Sequence, residues 1–306
     1  MRGVAVATPL VRLDVAAAPA EIYLKLEGLQ PTGSFKIRTA GNQILQLTRE
    51  EYERGIYTAS TGNLGIATAW FARELGIPAT VLVPEDAPPS KLATLDSLGA
   101  EVRRLPYADW WNAVRNRGVD GTAAHYIDAD GPGAIAGSAT LGLEINEQLP
   151  DADTVLCSFG AGALACGVAT AIKALQPAVR VLACELETAT PLTAALEADK
   201  PVEVSYASSF VSGMGSTRVL PSMWPMVRDC LDGSAVVSLH QVCDAIRALL
   251  DSNHVAAEGA GAAPVAAALA GQAGTGKIVC IVGGGNLGRD DLAAILAGRI
   301  PGDDFS

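Results

Sequence analysis

Lys36 follows a Gly-Ser-Phe turn in the stretch Pro31-Thr32-Gly33-Ser34-Phe35-Lys36-Ile37-Arg38, at the entrance to an apolar helical pattern. The chain has only six lysines. A lysine in that setting is either a surface residue with its stem on apolar atoms or a nucleophile pressed against a pocket. Further on, Ser158-Phe159-Gly160-Ala161-Gly162-Ala163 joins a strand pattern to a helical one. Small residues there let backbone N–H groups converge on a phosphate dianion at a helix start, although an ordinary tight turn uses the same residues. Ser60-Thr61-Gly62-Asn63 makes a second strand-to-helix junction. Its hydroxyls and amide serve either to cap the helix or to bind a carboxylate at its N-terminus.

Taken together, the three features ask for one ligand set. Pyridoxal 5′-phosphate brings an aldehyde for the lysine and a phosphate for the glycine turn, and its amino-acid substrate brings a carboxylate for the polar loop. Lysine forms the imine and, buried beside an aromatic ring, loses its proton readily enough to act as a base. Competing motifs fail. Gly283, Gly285 and Gly288 fit the spacing of a dinucleotide fingerprint, but only eighteen residues follow and no second strand–helix unit with its acidic residue fits there. Gly28 and Gly33 have the spacing of a nucleotide-binding P-loop, yet the lysine arrives two positions late and no hydroxyl follows it. The three histidines are isolated, and each reads as a surface or packed ring.

The elements that must position these residues alternate. Strand patterns fall at 21–27, 56–60, 79–85, 101–105, 125–128, 153–159, 180–185, 235–239 and 277–283, with helical patterns at 63–75, 89–98, 162–176, 240–252 and 257–270. Such alternation implies right-handed crossovers and mainly parallel sheets in a three-layer α/β architecture. So many strands overfill one sheet, which predicts two sheets with a cleft between them.

Composition narrows the function classes. Half-apolar content (49% hydrophobic) makes the chain globular, and a net charge of −11 offers no positive field for nucleic acid or an anionic membrane. No run of about 18 uncharged apolar residues suggests a membrane span. The start, with Arg12 and Asp14, lacks the apolar core of a secretory signal. The six cysteines are scattered without a CxxC pair, which reads as reduced buried thiols and a cytoplasmic protein, with no metal site.

The sequence resembles the fold type II pyridoxal-phosphate enzymes, in the branch of threonine/serine dehydratases and serine racemase. The residues that carry this are 8–10 (TPL), 25–40 (KLEGLQPTGSFKIRTA), 59–65 (ASTGNLG), 76–102, the glycine turn at 160–167, 182–187, 256–269 and 283–286 (GGGN). The resemblance implies a tryptophan-synthase-β-like fold, with a large cofactor-binding domain of 1–39 plus 129–306 and a small mobile domain of 40–128. By position, Lys36 is the Schiff-base lysine, Phe35 packs near the cofactor ring, and Asn63 bonds its phenolic oxygen. Gly160, Ala161, Gly162 and Ala163 hold the phosphate, while Ser60, Thr61 and Asn63 hold the substrate carboxylate. A homodimer is the family expectation.

Four departures stand out. Leu64 replaces the usual histidine, and Gly137-Ser138-Ala139-Thr140 replaces Gly-Gln-Gly-Thr. Pro191 occupies a position where the racemase-type metal site has an acid, beside Glu185 and the Ala189 carbonyl. Gly283 stands where a Ser, Thr or Cys normally faces the pyridine nitrogen, and Cys280, three positions back on a strand, faces the other side. Glu258 or ordered water is the candidate to meet that nitrogen. The expected reaction is dehydration of a β-hydroxy-α-amino acid by α,β-elimination, releasing a 2-oxo acid and ammonia. Racemisation, with Thr61 as the second acid/base, β-replacement, and a catalytically silent amino-acid-binding relative stand as alternatives.

Overall fold

The computed structural model describes residues 4–16, 18–87 and 89–302. Its strands are β1 (Leu10–Arg12), β2 (Glu21–Leu26), β3 (Ile56–Ala59), β4 (Ala79–Pro84), β5 (Glu101–Leu105), β6 (His125–Tyr126), β7 (Thr154–Ser158), β8 (Arg180–Leu186), β9 (Gly233–Val237) and β10 (Lys277–Val282). The helices are α1 (Lys36–Ile44), α2 (Arg49–Arg54), α3 (Asn63–Leu75), α4 (Pro89–Ser97), α5 (Tyr107–Arg115), α6 (Pro132–Gln148), α7 (Ala163–Leu175), α8 (Pro191–Ala198), α9 (Trp224–Cys230), α10 (Leu239–Asn253), α11 (Gly259–Leu269) and α12 (Arg289–Leu296). All nine strand patterns become strands, shifted by a residue or two at their ends. β1 is an addition, as are several helices whose patterns are short or interrupted, whereas α1 is the apolar helix expected from Lys36 onward.

Among the described residues the chain packs as two compact units, one of 4–6 with 30–137 and one of 7–29 with 138–302. Residues 30–39, expected with the larger domain, pack in the smaller unit, and so does Lys36.

The smaller unit holds a four-stranded parallel sheet in the order β5-β4-β3-β6. Its core joins Ile37, Ala40 and Ile44 of α1 to Leu64, Ala67 and Phe71 of α3, over Ile56, Val81 and Val83 of the sheet. One face of α1 is therefore fully buried, which holds its first residue, Lys36, in a fixed frame.

The larger unit holds a six-stranded sheet, β1-β2-β10-β7-β8-β9, parallel except for the edge strand β1. Central strands covered on both faces must be apolar throughout; Val155 to Cys157 of β7 and Ile278 to Val282 of β10 are all buried. α10 and α11 cover one face, with Val242, Ile246 and Leu249 of α10 and Ala262, Ala263 and Val265 of α11 packed on Leu24, Leu26, Ile278 and Cys280. α10 starts on a reciprocal capping box between Ser238 and Gln241. The small residues of α11 permit close approach: a Cβ on Gly261 would lie 2.6 Å from the Gly284 carbonyl oxygen.

Candidate active site

In each sheet the chemistry-bearing loops leave the carboxyl ends of the strands, where parallel sheets present their binding loops. β3 runs into Ser60-Thr61-Gly62 and α3. β7 runs into the glycine turn and α7, and the neighbouring β10 runs into Gly283.

In the smaller unit, the turn before Lys36 is built by Gly33, whose φ of +71° favours glycine and whose N–H donates to the Gln30 carbonyl at 2.8 Å. Phe35 is the N-cap of α1 and Lys36 its first residue. The Nζ of Lys36 lies 4.9 Å from the centre of the Phe35 ring. Lys25 is the more deeply buried lysine, but its ammonium donates to the Thr8 carbonyl (2.7 Å), Glu144 (2.6 Å) and Gln148 (2.9 Å). Three protons on three acceptors make it a structural tie. Lys173 and Lys277 pair with Asp232 and Asp151, and Lys200 is exposed. The sequence sets Lys36 apart by its turn, and the surroundings in the structure show Lys25 already committed to its acceptors.

α3 begins at Asn63, with Gly62 as an N-cap that offers no side-chain acceptor and with no acidic residue in the first turn. Its leading N–H groups are suited to an anion. Ser60 Oγ accepts from the Gly62 N–H at 3.2 Å, which leaves the hydroxyl proton for donation. Ser60, Thr61 and Asn63 are all half-buried on this loop. Gly65 clamps it, since a Cβ there would lie 2.2 Å from the Ser60 carbonyl oxygen. Leu64 is buried in the unit's core, so the position of the usual histidine has become a packing position. Gly137 retains its glycine for a steric reason: a Cβ would lie 2.2 Å from the Arg38 carbonyl oxygen.

In the larger unit, α7 begins at Ala163 after Gly162, whose φ is +100°, again with neither a side-chain cap nor a first-turn acid. Ala161 is exposed, and Ala163 is buried. A Cβ on Gly160 would lie 2.5 Å from the carbonyl oxygen of Gly213, and one on Gly162 would lie 3.3 Å from Met223 Cε. Residues 213–215 thus pack directly on the turn, an arrangement that pattern reading of 205–224 does not reveal; the only sign is the glycine pair around Met214, with φ of +86° and +85°. The donor set fits a phosphate dianion, with uncapped N–H groups in a cradle that side chains would fill.

Gly283 is buried at the end of β10. Cys280 points to α11, where its thiol donates to the Pro264 carbonyl, and burial pushes its pKa up. The half-buried Glu258 is the N-cap of α11, but its carboxylate does not cap that helix. Its N–H donates to the Gly284 carbonyl at 3.0 Å, and Ser158 at the end of β7 donates to the Ala260 carbonyl. Two bonds therefore tie the start of α11 to the ends of both strands. Glu185 accepts from the Leu192 N–H (2.6 Å), the Thr193 N–H (2.8 Å) and the Thr193 hydroxyl (2.8 Å), so its carboxylate anchors the start of α8. Burial raises its pKa against the pull of those bonds.

In the smaller unit a lysine stands at a helix start beside an aromatic ring, as an aldehyde requires, and in the larger unit an uncapped helix N-terminus follows a parallel strand, as a phosphate requires. The model of the pyridoxal-phosphate dependent enzyme family matches residues 2–284, and the chain belongs to that family; its cofactor is pyridoxal 5′-phosphate. It is similar to the L-threonine ammonia-lyase of Geobacter sulfurreducens, 36% identical over 283 residues that cover 90% of this chain and 69% of that one. The L-threonine ammonia-lyase of Thermotoga maritima is 38% identical over 280 residues, covering 90% and 70%. Among solved structures, maize serine racemase superposes with a TM-score of 0.87 at 31% identity, covering 96% of this chain and 92% of that one. The two-sheet, mainly parallel architecture is that of fold type II. No helix among the described residues is long and apolar enough to cross a membrane.

Proposed function

We propose that this chain is a pyridoxal-phosphate-dependent ammonia-lyase acting on a β-hydroxy-α-amino acid such as threonine or serine, giving a 2-oxo acid and ammonia. The observation that carries the reading is Lys36 at the start of α1 with its amine beside the Phe35 ring, in a chain 36% identical to a threonine ammonia-lyase along nine-tenths of its length. When bound, the cofactor supplies the electron sink that acidifies the α-proton of the substrate.

The chain's own residues do the rest. Lys36 would carry the cofactor, and its Nζ, when free and neutral, would take the α-proton of the substrate. Phe35 keeps water from that amine. Gly160 through Ala163 bind the phosphate through backbone N–H groups. Asn63 donates to the ring oxygen. Ser60, Thr61 and Asn63, with the leading N–H groups of α3, hold the substrate carboxylate and orient the α-proton toward Lys36. At the ring nitrogen, Gly283 offers no side chain, and Glu258 is the proposed partner, supported by its backbone bond to Gly284 and by a carboxylate that does not cap its own helix. A protonated Glu258 donates to that nitrogen, whereas an ionised one raises its proton affinity.

Racemisation is the second reading, supported by the half-buried hydroxyl of Thr61 and the likeness to maize serine racemase. An unassisted hydroxyl is a poor base near neutral pH, which favours elimination. We place the protein in the cytoplasm as a homodimer. Its six free cysteines, five of them buried, support the reducing compartment, and sedimentation of the purified protein tests the dimer. A panel of β-hydroxy amino acids scored for 2-oxo acid, racemate and exchange product tests the activity. Release of 2-oxo acid and ammonia as the main products is expected, and inversion or exchange without them would replace this reading.

A further inference from the structure

Among the described residues, two buried side-chain oxygens or nitrogens have no hydrogen-bond partner, Ser34 Oγ and Thr39 Oγ1. Both residues are fully buried. Leaving a buried hydroxyl unpaired costs on the order of 1–3 kcal/mol, so such groups are rare and each calls for a cause. Here both orphans lie within three residues of Lys36. Ser34 sits two residues before it, in the turn whose backbone carbonyl accepts from the Ile37 N–H. Thr39 follows it by three positions on α1, and residues three apart on a helix share a face.

Their neighbours do not supply the missing bonds. The Arg38 guanidinium, also fully buried, donates to the Val6 carbonyl, and the Gln43 amide donates to the Thr39 carbonyl and to the Asp128 carbonyl. The Phe35 ring, 4.9 Å from the Lys36 amine, attracts its ammonium form. A hydroxyl has the complementary ability: it donates to the lone pair of a neutral amine.

We propose that Ser34 and Thr39 are positioning residues for Lys36, their hydroxyls held without partners in order to hydrogen-bond its amine in the neutral, reactive state. This rests on Lys36 being the cofactor lysine. One hydroxyl donates to the single lone pair of the neutral amine and the other accepts from one of its N–H groups, which fixes the direction of the lone pair while burial favours the uncharged form. The ring of Phe35 and the two hydroxyls thus offer the amine two environments, one suited to its charged form and one to its neutral form.

The test compares Ser34→Ala, Thr39→Val and Thr39→Ser. Valine keeps the shape of threonine without its hydroxyl, and serine keeps the hydroxyl. Two quantities are read: the melting temperature of the full chain, and the rate at which the cofactor-free chain forms its borohydride-reducible link to added pyridoxal 5′-phosphate. The expected result is a rate about tenfold lower in Ser34→Ala and Thr39→Val, near wild type in Thr39→Ser, with melting temperatures unchanged or raised. Wild-type rates in both hydroxyl-free variants would overturn the proposal, as would a fall in melting temperature, which would assign the hydroxyls to the fold. Peptide mapping of the reduced link is read separately. A label on a lysine other than Lys36 would remove the underlying reading, whereas a label on Lys36 with unchanged rates would remove only this proposal.

Discussion

The carbonyl oxygen of Gly213 lies 2.5 Å from where a Cβ on Gly160 would stand. No side chain fits that gap without movement of one of two backbones. The turn proposed for the phosphate therefore owes its shape to a segment more than fifty residues downstream. Gly160→Ala should weaken cofactor binding at least tenfold, about 1.4 kcal/mol, while Gly213→Ala, whose Cβ meets open space, should be limited to the strain of its positive φ. Absorbance titration of the cofactor-free variants measures both, and equal losses would argue against the steric account.

Lys36→Ala should abolish the borohydride-reducible link and all turnover while leaving the fold intact, because the Lys36 side chain is only partly buried and the core face of α1 belongs to Ile37, Ala40 and Ile44. Circular dichroism with absorbance of the loaded protein separates the two effects. Lys25 should remain unmodified in that variant, since its three protons are already bound to acceptors.

Thr61→Ala should raise KM by about fivefold, roughly 1 kcal/mol, the scale of one net hydrogen bond. The link to Lys36 should be unaffected. α-Proton exchange with inversion that is faster than 2-oxo acid release, and that is lost in this variant alone, would favour the racemase reading instead.

Glu185 should leave a pH signature in stability. Burial raises its folded-state pKa above that of an ordinary glutamate, so the folded chain holds the proton to higher pH than the unfolded chain. Stability from this group should fall as pH rises from about 4.5 through the folded pKa, then level off once both states are ionised. Glu185→Gln should remove that slope. It should also cost about 1–3 kcal/mol at neutral pH, because an amide NH2 then faces a backbone donor at the start of α8. Urea midpoints between pH 4 and 7 for the two proteins test the sign.

Much of this protein is local and was legible as pattern. Wholly apolar runs such as 278–282 are strands covered on both faces, glycine-rich junctions after them are the turns at helix starts, and the Gly33 turn sets Lys36 at the head of α1. These follow from side-chain period and backbone freedom, which act over a few residues. Tertiary structure alone decided which chemistry each residue is available for. The turn before Lys36 sets it apart in sequence, but only burial against Glu144, Gln148 and the Thr8 carbonyl makes Lys25 a tie. Pro191 in the sequence already argues against a metal at Glu185, but only α8 shows what the carboxylate does instead, accepting from the Leu192 and Thr193 N–H groups. Gly213 over Gly160, and the two unpaired hydroxyls around Lys36, depend on how packed segments approach one another. Such contacts and vacant hydrogen bonds are properties of three-dimensional proximity, and no periodicity along the chain encodes them.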